Sequence, residues 1–136
     1  MLFRSPGDTL AGASTNAPLI ALGADIRLAG NESDTNSKRF KTGMLDAQEY
    51  WETICKDNVR FVVSSPRSYF ARPTMQRLAV IRKFFRPVKA FYDPELRYGA
   101  RFPLCIYERI NRDEPCEWTR SAPTRRSSSA AFCPVE

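Results

Sequence analysis

The chain has 136 residues, 43% of them apolar and 26% charged, with a formal net charge of +6. That is enough for one small domain rather than two, and too apolar for a disordered chain. It contains no histidine, which removes the commonest general base, the commonest zinc ligand and every Ser–His or Cys–His nucleophile pair. A non-enzymatic protein without a cofactor or small-molecule substrate is therefore the expectation.

Residues 1–43 are rich in Gly, Ser, Thr and Asn and poor in periodic pattern. They are expected to form an extended, irregular N-terminal arm, with one short extended piece near "LIALGADIRLA" and a solvated loop at "GNESDTNSKR". The first seven residues, "MLFRSPG", lack the apolar run of a secretory signal. Their Arg and Ser content, with Asp8 the only acid before Asp25, faintly suggests mitochondrial import. An intracellular, non-secreted protein without a transmembrane helix is expected, since no stretch reaches the roughly 18–20 apolar residues that a span needs.

"DAQEYWETICK", residues 46–56, predicts a helix. Asp46 caps its N-terminus and Glu49 stands three residues on, as in a capping box. Ala47, Tyr50, Trp51, Ile54 and Cys55 share one face, and the polar residues share the other. "NVRFVVSS", 58–65, reads as an edge-type strand stopped by Pro66.

The segment "TMQRLAVIRKFFRPVKAFY", 74–92, holds five basic residues and no acidic one. Between Pro73 and Pro87 it predicts a basic amphipathic helix. Leu78, Val80, Ile81, Phe84 and Phe85 cover the apolar arc, and Arg82, Lys83 and Arg86 the opposite one. A second strand is expected at "LCIYERI", 104–110, with Leu104, Ile106, Glu108 and Ile110 on one face and Cys105, Tyr107 and Arg109 on the other. Residues 111–136 lose all pattern and read as an irregular or disordered tail. The fold class expected is α+β: a small core over 44–110 with two helices and a few short strands, flanked by extended arms.

Charge is distributed unevenly. The thirty-five residues between Asp57 and Asp93 contain eight of the 21 basic residues and none of the 15 acidic ones, which leaves 13 against 15 elsewhere. The whole positive excess sits in this block: Arg60, Arg67, Arg72, Arg77, Arg82, Lys83, Arg86 and Lys89. These eight are the candidate partner-binding residues. The first partner expected is another protein, with the chain acting as a structural or accessory subunit of a larger assembly. The alternative is nucleic acid, as in a ribosomal or virion component, with Arg on phosphate and Tyr69, Phe70 or Tyr92 stacking on bases. An anionic membrane surface is a third partner that the amphipathic pattern would suit.

The four cysteines, at 55, 105, 116 and 133, lack the two-residue gap of a zinc or redox pair. Free thiols are expected, with Cys105–Cys116 the readiest disulfide. "ARFP", Cys105, "CEW" and "CP" resemble fragments of the cysteine-paired, helical-hairpin subunit of cytochrome oxidase. Pro115 and Pro123 would break both of its helices, and sixteen residues separate Cys116 from Cys133. The resemblance implies no more than a leaning toward a mitochondrial accessory subunit.

Overall fold

The computed structural model describes residues 8–13, 16–32, 34–65, 79–91 and 104–117. Strands β1 (Thr9–Gly12), β2 (Arg27–Leu28), β3 (Phe61–Ser64), β4 (Phe85–Phe91) and β5 (Leu104–Arg109) build one sheet. Helices α1 (Asn16–Ala24), α2 (Ser37–Lys41), α3 (Ala47–Lys56) and α4 (Ala79–Phe84) pack around it. The fold is α+β, as expected from the sequence.

The strand order is β2-β1-β3-β5-β4. β1 runs parallel to both β2 and β3, while β5 is antiparallel to β3 and β4. Parallel neighbours need a crossover. α1 makes the one from β1 to β2, and α2 with α3 makes the one from β2 to β3. The two crossovers lie on opposite faces. Ala17 and Ala21 of α1 pack with Leu10, Phe61, Val63 and Ile106 on one side. Tyr50, Trp51 and Ile54 of α3 pack with Ala11, Val62, Cys105, Tyr107 and residues of α4 on the other.

Helix α3 begins and ends as its residues dictate. The Asp46 carboxylate accepts from the Glu49 backbone N–H at 2.8 Å. At the far end Asn58 takes φ 50°, which asparagine tolerates better than most residues. The Asn58 and Val59 N–H groups then donate back to Cys55 and Ile54, both at 3.1 Å. That is the Schellman pattern, with Val59 turned inward as the apolar residue after the cap. α1 closes similarly: Asp25 adopts φ 54° and Ile26 donates to Ala21 at 3.0 Å. Gly12 is required where β1 meets β3. Its φ is 129°, and a Cβ there would lie 2.1 Å from the Val63 carbonyl oxygen.

Several expectations change. Residues 8–43 are not an irregular arm: β1 is an interior strand whose four residues are all buried. The nine-residue α1 leaves no amphipathic signal in the sequence because its buried stripe is alanine and its outer face carries Leu19 and Leu22, so no polar face marks the period. β3 is likewise an interior strand, not an edge. Val62 packs on the α3 face and Phe61 and Val63 on the α1 face, and a strand covered on both sides reads as a continuous apolar run.

The predicted basic helix is also divided. Helix α4 ends at Phe84, and Phe85–Phe91 is strand β4, with Pro87 inside it. Pro87 is tolerated because β4 is the terminal strand among the described residues and a register shift follows between Pro87 and Lys89. Residues 74–78 of that segment lie outside the described residues. β5 forms as expected, with Leu104 and Ile106 on one face and Cys105 and Tyr107 on the other. No helix among the described residues is long and apolar enough to cross a membrane.

Cys55 and Cys116 form a disulfide with Cα atoms 5.0 Å apart, and neither is the free thiol expected. The end of α3 and the segment after β5 meet across the α3 face, a juxtaposition that a sequence separation of 61 hides. The same segment disposes of the helical-hairpin resemblance, because Cys105 lies in a strand.

Candidate partner-binding surface

The eight basic residues do not form one site. Arg60 belongs to the interior end of the sheet. Its backbone N–H donates to Thr9 at 3.1 Å and its carbonyl accepts from Arg109 at 2.8 Å, joining three strands. Its guanidinium donates to the Asp8 carboxylate at 2.7 Å and stands 3.8 Å from Glu108. Asp8 is 1% exposed, so its charge needs that partner. Arg112 supplies another, at 3.2 Å.

Arg109 completes this network. It is buried, reaches Asn58 Oδ1 at 3.4 Å and the Glu114 carbonyl, and places its guanidinium 5.3 Å from the centroid of the Phe84 ring. Burial pushes its pKa down, the Glu114 carboxylate pushes it up, and neighbouring Arg112 pushes it down again. Asp8 and Glu108 as Arg60's partners, and Arg112 as Asp8's second one, leave no local pattern in the sequence because the contacts are so distant along the chain. Their work is structural: they bind the segment after β5 to the base of β1 and β3.

Arg82, Lys83, Arg86 and Lys89 are the other group. They come from the last turn of α4 and from β4, and all four are exposed. Ile81, Phe84 and Phe85 turn inward between them. Arg82 and Lys83 make no ion pair among the described residues. Arg86, 64% exposed, is 3.9 Å from Glu108, a distance at which a solvated pair contributes little. Lys89 extends over the ring of Phe91, its Nζ 5.6 Å from the centroid. Phe91 itself is 46% exposed. From Ala79 to Phe91 there is no acidic residue. Arg67, Arg72 and Arg77, with Tyr69, Phe70 and Tyr92, lie outside the described residues.

Tyr50 marks the other end of β1. Its hydroxyl accepts from the Gly12 N–H at 3.3 Å, and Thr35 Oγ1 donates to the Gly12 carbonyl at 2.5 Å. The end of β1 is therefore closed by side chains of the crossover. Burial raises the Tyr50 pKa above its ordinary value, with the Glu32 charge adding to the rise and the Gly12 hydrogen bond opposing it. Among the described residues, no group of three or more Cys, Asp or Glu side chains is arranged to hold a metal ion.

Comparison with protein-family models gives no match, and neither do comparisons with curated proteins and with solved structures. The functional reading rests on the residues alone.

Proposed function

We propose that this chain is a non-enzymatic binding subunit that docks onto a partner protein through the α4–β4 surface. One observation carries the reading: Arg82, Lys83 and Arg86 are exposed together on the stretch Ala79–Phe91, which holds no acidic residue. Arg60, by contrast, serves the fold. A solvated cationic face beside an exposed aromatic residue suits a charged partner surface, because Arg and Lys steer the encounter and the ring supplies apolar contact. The Cys55–Cys116 bridge supports an oxidising compartment over a reducing one.

Nucleic acid is the second reading. Phe91 beside Lys89 offers the aromatic-plus-cation pair on which a base could stack. The two readings part on nuclease treatment. The native size of the endogenous protein is measured by gel filtration with and without nuclease. A large nuclease-resistant particle is the expected result. A particle that collapses with nuclease favours nucleic acid, and a free monomer near 15.5 kDa refutes both.

A further inference from the structure

Asn31, Glu32 and Ser33 spell Asn-x-Ser, the acceptor pattern for an N-linked glycan, and no other asparagine of the chain has Ser or Thr two residues on. The structure singles out the same residue on separate grounds. Asn36 accepts from the Lys38 N–H to cap α2. Asn58 bonds the Arg112 carbonyl and the Arg109 guanidinium, and Asn111 accepts from the Asp113 N–H. Asn31 is exposed, and its side-chain amide makes no hydrogen bond among the described residues. Of the described asparagine side chains, it is the one that the fold does not use.

Asn31 closes the short 3-10 turn Ala29–Asn31 that follows β2. The turn is pinned from both sides. The Gly30 N–H donates to the Asp57 carboxylate at 2.7 Å, and the Glu32 N–H returns to the Ala29 carbonyl at 3.1 Å. The Glu32 carboxylate in turn accepts from Arg39 at 2.7 Å. Between these anchors Gly30 and Asn31 take left-handed backbone, with φ 59° and 55°, which asparagine tolerates. Ala29 is buried beneath the turn while Asn31 stays in solvent. Among the described residues β2 and β4 are opposite ends of the sheet, so this turn lies at the edge away from the α4–β4 surface.

The chemistry also needs a compartment. Cys55 and Cys116 are bridged, and none of the described cysteines is a free thiol. The endoplasmic reticulum lumen both oxidises cysteine pairs and glycosylates asparagine. Resting on the oxidising compartment proposed above, we propose that Asn31 is an N-glycosylation site. The Asn31 side-chain nitrogen forms a bond to the anomeric carbon of a lipid pyrophosphate-linked oligosaccharide. The bond from that carbon to the pyrophosphate oxygen breaks, and the proton given up by the amide ends on the released lipid pyrophosphate. Ser33 lies outside the described residues and enters only as the residue that the acceptor pattern requires. A glycan at Asn31 shields the β2 edge with a bulky, soluble group and leaves α4–β4 clear for the docking partner.

The test uses the endogenous protein from its native host. Peptide-N-glycosidase, in heavy-oxygen water, releases an N-linked glycan and leaves labelled aspartate at the acceptor. The treated protein is expected to migrate faster on a denaturing gel. Residues 28–38, released by trypsin after Arg27 and Lys38, are expected to carry labelled aspartate at 31 and asparagine at 36. Ser33→Ala, expressed in the same host, keeps Asn31 in place and should abolish the shift, and Ser33→Thr should retain it. Unmodified Asn31 with the Cys55–Cys116 bridge intact overturns the glycan and leaves the compartment standing. Unmodified Asn31 with reduced Cys55 and Cys116 overturns both. A shift that survives Ser33→Ala overturns the assignment to Asn31. Docking through α4–β4 is decided by native size instead, so the two proposals fail separately.

Discussion

The two ends of the β3–β5–β4 half of the sheet use the same residue type in opposite ways. At the base, Arg60, Arg109 and Arg112 face Asp8, the Asn58 side chain and main-chain carbonyls, and each guanidinium donates to the protein itself. Along α4 and β4, Arg82, Lys83 and Arg86 are exposed, and the one carboxylate paired with any of them among the described residues, Glu108, is already in reach of Arg60. The first group fastens strands and the following segment together. The second group contributes little that the fold needs. A run of basic residues is therefore not one surface, and the carboxylate opposite each guanidinium separates scaffold from contact.

That contrast can be broken at its apolar centre first. Trp51 is 1% exposed and packs between α3 and the sheet. Trp51→Ala should cost about 3–5 kcal/mol through lost burial and the cavity left behind. Chemical denaturation measures it, and a loss under about 1 kcal/mol would mean that the α3 face is not the core.

The base network comes next. Asp8→Asn removes the charge that Arg60 and Arg112 share. Because both arginines are partly exposed, the expected cost is about 2 kcal/mol rather than the full penalty of a buried broken pair. The same substitution should leave partner binding at the α4–β4 surface unchanged. A fall in binding with little change in stability would reverse the roles assigned to the two groups.

Tyr50 gives a smaller, pH-dependent effect. A raised folded-state pKa means that the fold keeps the phenol protonated while the unfolded chain ionises. Its contribution is full below the ordinary value of 10.0 and is lost as pH rises through and above it. Tyr50→Phe should lower stability at neutral pH by about 1 kcal/mol, through the acceptor lost to Gly12. It should also shrink the further loss of melting temperature above pH 10. An identical alkaline slope in both proteins would remove Tyr50 as its source.

Much of the α3 half was readable from the chain. Asp46 as cap, the Tyr50–Trp51–Ile54 face and the alternation of Leu104–Arg109 are local signals, and each appears where expected. Residues 8–43 were not readable, because alanines form the packed stripe of α1 and β1 is only four residues long. The Phe84–Phe85 boundary was also hidden. The apolar residues on either side of it turn inward whether the chain is helix or strand, and Pro87 reads as a helix stop when it in fact occupies an edge strand. Of the candidate site, the exposure of Arg82, Lys83, Arg86 and Lys89 was legible from the apolar residues between them. The removal of Arg60 from that site was not, since its partners Asp8 and Glu108 stand 52 and 48 positions away.

The most direct measurement compares the Arg82→Glu, Lys83→Glu variant with the unaltered chain, expressed in the native host, for both native size and melting temperature. The account predicts an unchanged melting temperature and a shift from a large particle to a free chain near 15.5 kDa. A large particle that survives the substitutions, or a melting temperature that falls with them, would contradict it.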